Sequence, residues 1–290
     1  MVAKPEQIDV VVRIHDAGRT AELTRCVFSL VAQGYRPLRI IIAAQRFADD
    51  GLAGVRTALA PLLDGEEDVD LAIVNWTEPE PADARSVLLN MGVQAAEGRY
   101  LAYLDYDDVL YPDAYELLID RLRKTGAAIA FASVRIMRLQ VNEHFFYTAE
   151  KVVAPFSGRT LMDLFRNNFC PIHSYVIDRE QVAPEIFTFS TTLLMEEDYD
   201  VLLRICARYT SDFALIGTDI GDYYYKTDGS NTVPTNGVLT PQSQERYKGV
   251  RLAIEHRKRT TLVSEKVQRA LGLPPSSRPI TVRDVIDQYS

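Results

Sequence analysis

The first 105 residues alternate between short apolar runs and stretches with helical spacing, and this alternation restricts the fold more than any other feature. The apolar runs are rich in β-branched residues and lie at 8–12, 38–44, 69–76 and 99–104. The helical stretches between them lie at 23–31, 50–63 and 84–96. Strands that alternate with helices form parallel sheets covered on both faces. We therefore predict an α/β fold with a mostly parallel sheet flanked by helices.

The pattern is less regular after Gly126, where we predict strands at 127–137 and 173–178 and helices at 159–167 and 197–209. From Pro241 the sequence becomes helical and basic. We predict one domain over 1–232, with halves at 1–110 and 111–232, and a helical C-terminal extension over 233–290. Prolines and serines at 273–277 indicate a linker, so 278–290 is expected to be either a tail or the start of a truncated unit.

The charge balance argues against general nucleic-acid binding. Lys and Arg number 32 and Asp and Glu number 40, which gives a net charge of −8, whereas nucleic-acid binders need a basic footprint. The three cysteines have no metal-ligand spacing and fit a reducing compartment. The N-terminus has no signal-peptide core, and no run approaches the ~18 apolar residues of a membrane span. A cytoplasmic protein is expected.

The C-terminal segment departs from this acidic balance. Residues 245–283 hold ten Lys or Arg and three Asp or Glu. A solvated helix face and a surface for an anionic partner both remain open, and the second would place the protein at the inner face of a membrane. The basic residues concerned are Arg246, Lys248, Arg251, Arg257, Lys258 and Arg259.

Three carboxylates, Asp105, Asp107 and Asp108, follow the fourth predicted strand directly. Ligands of open α/β sheets bind beyond the carboxyl ends of the strands, and side chains two apart in extended chain point the same way. Asp105 and Asp107 can therefore face one ligand while Tyr106 points away. A divalent cation such as Mg²⁺ or Mn²⁺, completed by substrate phosphates, would relieve their repulsion. The alternative for Asp108 and Asp113 is to cap the following helix.

A second acidic group opens the predicted helix over 197–209. Asp198 falls on the apolar face of this helix, whereas Glu197 and Asp200 fall on the polar face with Arg204. A carboxylate on the buried face needs a partner or a role, and the helix dipole would keep it ionised, as a general base must be. The alternative is that an acidic first turn complements the helix dipole.

An aromatic run at 223–225 predicts a strand that leads into a polar loop. Lys226 follows this run and has two interpretations. It either neutralises a pyrophosphate or is an ordinary exposed lysine, and the composition leaves both open.

Four motifs occur in one order along the chain. They are Gln33-Gly34-Tyr35 after the first strand and helix, Arg85 with Leu89-Asn90-Met91-Gly92, the Leu-Asp-x-Asp-Asp run over 104–108 with Pro112, and Glu197-Asp198 with Arg204. With these motifs the chain resembles the family 2 glycosyltransferases of the GT-A fold over residues 8–232. The resemblance implies a GT-A-type, Rossmann-like sheet.

The resemblance also implies an activity and roles for individual residues. Such enzymes transfer a sugar from a nucleoside-diphosphate sugar to a hydroxyl with inversion, and Asp198 would be the base. Asp107 would coordinate Mn²⁺ or Mg²⁺ on the diphosphate, and Asp105 would contact the ribose or assist the metal. UDP- or dTDP-sugars are the favoured donors, and His173 and Glu197 are expected to contact the acceptor. The remaining residues expected to bind the nucleotide sugar are His15, Arg19, Gln45, Arg85, Asn90, Tyr106 and Lys226.

The chain departs from the family's pattern at three places. Residues 13–16 replace a Thr-Tyr-Asn-type segment, and Gln45 stands where an Asp usually reads the nucleotide base. Thr227 and Asp228 stand where many members have a histidine that binds the metal. The Gln-x-x-Arg-Trp motif of processive members is absent from the sequence, which favours addition of a single sugar.

Two other classes of function fit parts of the sequence. A nucleotidyltransferase would place a Gly-rich loop after the first strand, but the segment there has only Gly18. A non-catalytic module that binds nucleotide sugar or glycan stays as the alternative, although such a module would not need Asp198. For the enzyme, the expected acceptor is a glycan of a surface polysaccharide, either free or linked to a lipid carrier.

Overall fold

The computed structural model describes residues 6–142, 146–152, 156–226, 241–274, 276 and 278–288. The strands are β1 (Ile8–Ile14), β2 (Leu38–Gln45), β3 (Val69–Trp76), β4 (Tyr100–Asp105), β5 (Val109–Leu110), β6 (Ile129–Val141), β7 (Phe146–Val152), β8 (Tyr175–Asp178) and β9 (Ser211–Lys226). The helices are α1 (Thr20–Val31), α2 (Asp49–Leu63), α3 (Arg85–Ala95), α4 (Ala114–Thr125), α5 (Leu161–Arg166), α6 (Glu197–Arg208), α7 (Pro241–Thr260), α8 (Glu265–Ala270) and α9 (Val282–Gln288).

The strands form one sheet in the order β3-β2-β1-β4-β8-β6-β9-β5, with β7 paired to β6. The first four positions in this order are occupied by β3, β2, β1 and β4, and all three pairings between them are parallel. This confirms the α/β prediction made from the alternation of apolar runs and helices. The second half is mixed, because β8 runs antiparallel to both β4 and β6, while β6 and β9 are parallel.

Both faces of the parallel half are covered, which explains its uninterrupted apolar strands. Val10 and Val12 of β1 belong to a core shared with α1, α2 and α4. Val11, between them, belongs to the core on the opposite face, which α3 and α6 complete. The carboxyl ends of β1 and β4 are therefore held between two packed layers.

Helix α3 approaches β1 closely because it carries Gly92 at the point of contact. A Cβ atom on Gly92 would lie 2.2 Å from Cγ1 of Val11, which is too short for any real contact. The glycine of the Leu-Asn-x-Gly motif therefore lets the backbone of α3 rest on the sheet. This packing places Arg85, the first residue of α3, beside the carboxyl ends of the strands.

Replacing Gly92 by alanine is expected to destabilise the fold by about 1–3 kcal/mol, the usual cost of overpacking a core. Gly54 in α2 is the matched control, because a Cβ there meets nothing within 4 Å. Alanine at that position should stabilise the helix by roughly 0.5–1 kcal/mol. Urea unfolding followed by circular dichroism measures both variants, and equal effects would contradict the close approach of α3.

The C-terminal helices form part of the core. Val282, Val285 and Ile286 of α9 are buried, and the amide of Val263 donates to the carbonyl of Ile280 at 2.9 Å. The expectation that 278–290 is a tail is therefore wrong over its described part, since these apolar residues complete the layer around α6. The predicted boundary at 232/233 lies outside the described residues.

Two of the basic residues predicted to form an anionic-partner surface take part in this packing. Nε of Arg257 lies 2.5 Å from Oδ1 of Asp200 in α6. Nζ of Lys258 is buried and donates to the carbonyl of Arg166 at 2.7 Å. In this structure these two cations dock α7 on the main domain, with Lys258 buried and Arg257 partly exposed. Within the described part of the chain, no helix has the length and apolarity needed to cross a membrane.

Candidate active site

A cavity of about 330 Å³ opens at the carboxyl ends of β1, β2 and β4, where the sequence predicts a ligand site. Five segments of the chain line it, namely the ends of these strands, the loop before α3 and the end of β9. The lining residues are Arg13, Ile14, His15, Gln45, Ala82, Asp83, Arg85, Leu88, Asp105, Tyr106, Asp107, Asp108, Tyr223 and Tyr224. Tyr106 was expected to point away from the ligand of Asp105 and Asp107, but it lines the same cavity.

Arg13, at the end of β1, joins the strand end to helix α6. Its Nε and Nη2 atoms donate to the two oxygens of Asp105 at 2.5 and 3.1 Å, and Nη1 donates to Glu197 at 2.5 Å. Burial opposes the charge of Arg13, but Asp105 and Glu197 outweigh it and raise the guanidinium pKa. In return, Arg13 overcomes the effect of burial and lowers the pKa of Asp105. The carboxylate and the guanidinium are thus both ionised at the edge of the cavity.

Lys226, at the end of β9, pairs with the other cavity carboxylate. Its Nζ lies 2.8 Å from Oδ2 of Asp107 and 5.3 Å from the ring centroid of Tyr106. The lysine is 3% exposed, so the interpretation as an ordinary exposed lysine is wrong. Arg25 of α1 donates to the backbone carbonyl of Asp107 at 2.6 Å. The segment that carries Asp107 is therefore held by two cations.

The carboxylates suit a hard cation that is completed by other ligands. Among the described residues, no three His, Cys, Asp or Glu side chains form a metal cluster. Mg²⁺ and Mn²⁺ often use one or two carboxylates and take their remaining ligands from substrate phosphates and water. Asp105 accepts hydrogen bonds from Arg13 at both of its oxygens, whereas Lys226 contacts one oxygen of Asp107. Asp107 therefore fits as the main protein ligand, with Asp105 beside it.

Asp108 lines the cavity, and His173 lies behind it. Asp108 accepts a hydrogen bond from the backbone amide of Tyr224 at 2.7 Å, and Oδ2 lies 3.4 Å from Nδ1 of His173. His173 stacks on Tyr223 and its side chain is fully buried, and this burial lowers its pKa to about 4. The expectation that His173 touches the acceptor therefore does not fit this structure. Asp108 joins β4 to β9 and does not cap α4, and Asp113 at the N-cap makes no side-chain capping bond.

The faces of α6 differ from those predicted. Glu197 and Asp200 are buried, at 4% and 3% exposure, because Arg13 neutralises the first, and Arg204 and Arg257 neutralise the second. The helical pattern assigned both acids to the solvent face, since it could not include partners from other elements. Glu197 is therefore part of the ion-pair chain, and no described contact places it toward an acceptor.

Asp198 is half-buried beside Glu197, at the N-terminus of α6. Burial, followed by the neighbouring charge of Glu197, raises its pKa to about 7. These effects outweigh the helix dipole, which was expected to keep the carboxyl ionised. Asp198 does not line the first cavity; it connects to it through Glu197 and Arg13. A carboxyl with a pKa near neutrality can accept a proton from a reacting group.

The wall of the cavity near β2 is a loop held by Gln45 and Arg46. The Gln45 amide donates to the carbonyl of Ala82 at 2.8 Å and accepts from the amide of Ala84 at 3.2 Å. Arg46 has a positive φ of 56° and donates to the backbone carbonyls of Glu78, Pro79, Pro81 and Ala82. Gln45 thus lies at the cavity as predicted, but its amide already binds the loop and is not free to read a base.

Two of the predicted donor-binding residues lie outside the cavity. The Asn90 amide exchanges two hydrogen bonds with the backbone of Phe189, at 3.0 and 2.8 Å, and so ties α3 to the segment before α6. Its prediction as a nucleotide contact does not fit this structure. Arg19 pairs with Glu22 at 2.9 Å in the turn before α1. Arg85, His15, Gln45, Asp105 and Tyr106 line the cavity. Lys226 borders it through its ion pair with Asp107.

Three residues of the site were not predicted from the sequence, namely Arg13, Asp83 and Tyr224. Arg13 had a detectable signal, because it is a charged residue that directly follows an apolar strand. Asp83 pairs with Arg85 at 2.9 Å and lies in a Pro-rich loop whose course the sequence does not reveal. Tyr224 lies under the guanidinium of Arg25, at 4.4 Å from the ring centroid, a contact between α1 and β9 that no local pattern indicates.

A sheet of this order, covered by helices on both faces and carrying carboxylates at its central strand ends, has the architecture of GT-A glycosyltransferases. The chain belongs to the family described as glycosyl transferase family 2, whose family model matches residues 9–180. That match includes β1 to β8 and every strand end that lines the cavity except the end of β9.

Two curated relatives match over shorter stretches. The succinoglycan biosynthesis protein ExoO of Rhizobium meliloti is 28% identical over 125 residues, which cover 41% of this chain and 36% of that protein. The uncharacterised glycosyltransferase YibD of Escherichia coli is 26% identical over 128 residues, which cover 41% of this chain and 31% of that protein. The matches span about a third of each relative's length.

Solved structures share the fold at low sequence identity. TarS 1–349 of S. aureus in complex with UDP has a TM-score of 0.59 at 12% identity, covering 90% of this chain and 68% of that one. The mannosyltransferase PcManGT of Pyrobaculum calidifontis, in complex with GDP-Man and Mn²⁺, has a TM-score of 0.53 at 12% identity, covering 99% of this chain and 80% of that one.

Proposed function

We propose that the protein is an inverting glycosyltransferase that adds a single sugar from a nucleoside-diphosphate sugar to a hydroxyl acceptor. The observation that carries this proposal is the ion-pair chain through Arg13. It joins Asp105, in the first cavity, to Glu197, next to Asp198. A site for the donor and a proton acceptor are therefore held in one rigid arrangement, as a direct displacement requires. Membership of glycosyl transferase family 2 supports it.

The donor would lie in the first cavity, with its diphosphate near Lys226 and Arg85. Both cations line or border the cavity and can balance phosphate charge. Mn²⁺ or Mg²⁺ held by Asp107 with Asp105 would supply further stabilisation of the charge on the departing diphosphate. UDP or dTDP is the favoured nucleotide. The UDP complex of TarS and the GDP-Man complex of PcManGT support a nucleotide donor in this fold.

Asp198 would act as the general base. As the acceptor hydroxyl oxygen forms a bond to the anomeric carbon, its proton passes to the Asp198 carboxylate, and the bond from that carbon to the diphosphate oxygen breaks. Attack from the opposite face inverts the anomeric centre without a covalent enzyme intermediate. The raised pKa supports this role, because a base near pKa 7 is strong enough to accept the proton and is still about half ionised at neutral pH.

The activity should depend on pH through Asp198. Because burial and Glu197 raise its pKa to about 7, the carboxyl becomes protonated and inactive as the pH falls below that value. We expect kcat/KM to fall about tenfold per pH unit below the pKa and to level off above it. Release of nucleoside diphosphate, measured from about pH 5 to about pH 9, tests this dependence. A profile that stays flat down to the ordinary range of a carboxyl would contradict it.

Surface polysaccharide synthesis is the proposed setting, with a glycan acceptor that is either free or linked to a lipid carrier. The similarity to a succinoglycan biosynthesis protein supports it. We place the protein in the cytoplasm, with contact to the inner face of the membrane through the exposed cations of α7, such as Arg246 and Arg251. Flotation with anionic vesicles should then exceed flotation with neutral vesicles, and equal recovery would rule the contact out.

The transfer reaction is tested by incubating the protein with a panel of nucleoside-diphosphate sugars and Mn²⁺. The measured quantities are the diphosphate released and, by NMR, the anomer first formed. We expect one donor class to be consumed, with inversion, and the Asp107→Ala variant to be inactive. If the wild type released no more diphosphate than Asp107→Ala from any donor, the alternative of a non-catalytic module would be favoured. If the product kept the anomeric configuration of the donor, the inverting mechanism would be excluded.

A further inference from the structure

A second cavity, of about 370 Å³, lies between β6, β7, β9 and the segment that precedes α5. Phe156 and Phe169 form an apolar wall, and Gly158 allows that wall to close. A Cβ on Gly158 would lie 2.1 Å from Cδ1 of Phe169, so a side chain at this position cannot be accommodated. The cavity is therefore built into the fold, and the proposed donor site in the first cavity does not use it.

The polar lining of this cavity is mainly cationic. Arg135, Lys151 and Arg159 line it, against the single carboxylate Asp219. Arg135 is neutralised by Asp222 at 3.1 Å. Within the described ranges, no carboxylate pairs with the side chain of Lys151 or Arg159. Among the residues that the structure describes, these two exposed cations thus have no carboxylate partner at the edge of the apolar-walled cavity.

The guanidinium of Arg159 lies near Gly217. Its Nη1 lies 3.9 Å from the point where a Cβ of residue 217 would be. Gly217 has a φ of 104°, a conformation that favours glycine, so the backbone there leaves open space in front of the guanidinium. The arginine can therefore present its planar fork to an anion in the cavity.

Two observations indicate that the second cavity lies near the proposed transfer site. Phe169 and Pro171 line it, and the pKa of Cys170 between them is raised by burial and also by the charge of Asp198. Along β9, Tyr223 of the first cavity is four positions beyond Asp219 of this one, a span on the order of 13 Å in extended chain. That span suits a neighbouring unit of the acceptor better than the reacting sugar itself.

We propose that the second cavity binds an anionic group of the acceptor, a carboxylate or a phosphate, through Arg159 and Lys151. This inference rests on the proposed function and names the class of acceptor. A guanidinium binds either anion through two parallel hydrogen bonds, and the lysine adds a second charge. The phenylalanine wall would pack against the apolar face of a sugar ring that carries the anion.

The test is an NMR titration of ¹⁵N-labelled protein saturated with UDP and Mg²⁺, a diamagnetic cation, so that the first cavity is filled. The probes are glucuronate, inorganic phosphate and, as the uncharged control, glucose. We expect glucuronate or phosphate to shift the amide resonances of Gly158 and Gly217. The probe that binds more tightly identifies the anion. The dissociation constant should rise at least tenfold in Arg159→Gln and in Lys151→Gln.

Arg56→Gln in α2 and Lys124→Gln in α4 are matched controls, because both residues are exposed and neither lines this cavity. They should bind the probes as the wild type does. Glucose binding as well as the anions, or anion binding that Arg159→Gln leaves unchanged, would overturn the inference. UDP binding, measured in the same samples, separates the proposed function from the inference about the second cavity. If UDP did not bind but glucuronate or phosphate still did, that result would count against the proposed function alone.

Discussion

Replacing Asp198 by asparagine is expected to lower the rate of sugar transfer by about 10²–10⁴-fold, the usual contribution of a general base. The amide keeps the size of the side chain but cannot take the acceptor proton. Donor binding should change little, because Asp198 does not line the first cavity. The measurement is release of nucleoside diphosphate at saturating donor, with UDP affinity determined in parallel.

Glu196→Gln is the matched control for this variant. Glu196 precedes the same helix and is exposed, so its replacement should leave transfer within a few fold of the wild type. If Asp198→Asn retained wild-type turnover, the base would have to be another group. If both variants bound UDP and neither they nor the wild type turned donor over, the binding-module alternative would hold.

Replacing Arg13 by methionine is expected to destabilise the protein by about 3 kcal/mol, the lower end of the range for removing one partner of a buried ion pair. The lower end applies because the Arg13 side chain is 19% exposed at the cavity. Asp105 and Glu197 would both lose their counterion, and Glu197 is only 5% exposed. Urea unfolding at neutral pH measures the loss, with Arg56→Met on the surface of α2 as the control.

The effect of Arg13→Met should shrink as the pH falls. In the wild type, Arg13 lowers the pKa of Asp105 below its ordinary 3.8, so the pair stabilises the fold above that value and stops doing so once Asp105 is protonated. The difference between variant and wild type is therefore largest at neutral pH and decreases below about pH 4. A difference that does not depend on pH would mean that Arg13 acts through packing alone.

The alternation of strands and helices was enough to predict the parallel half of the sheet. Apolar runs such as 38–44 follow from burial on both faces, and the strand–helix order leaves few ways to connect them. The position of Asp105 and Asp107 at a strand end followed from the same argument. The prediction was weaker after Gly126, where β6 and β9 pair across a long stretch of sequence with register shifts.

Side chains whose surroundings depend on distant elements could not be assigned from local spacing. Glu197 and Asp200 have the spacing of a polar helix face, yet Arg13 and Arg257, from opposite ends of the chain, bury them. Asn90 belongs to a motif that resembles the family's, but its hydrogen bonds to Phe189 give it a packing role. Helical periodicity predicts the face of the helix on which a residue lies. Only the tertiary structure shows which residues from other elements neutralise its charge.

The most direct test of the account is calorimetric titration of the protein with UDP, dTDP, GDP and CDP, each with and without Mn²⁺. We expect one diphosphate, UDP or dTDP, to bind in the presence of the metal. We expect Asp107→Ala to abolish this binding and Asp113→Ala to preserve it, because Asp113 is exposed and its side chain makes no capping bond. Failure of all four to bind, or equal binding after Asp107→Ala, would contradict the assignment of the first cavity as the donor site.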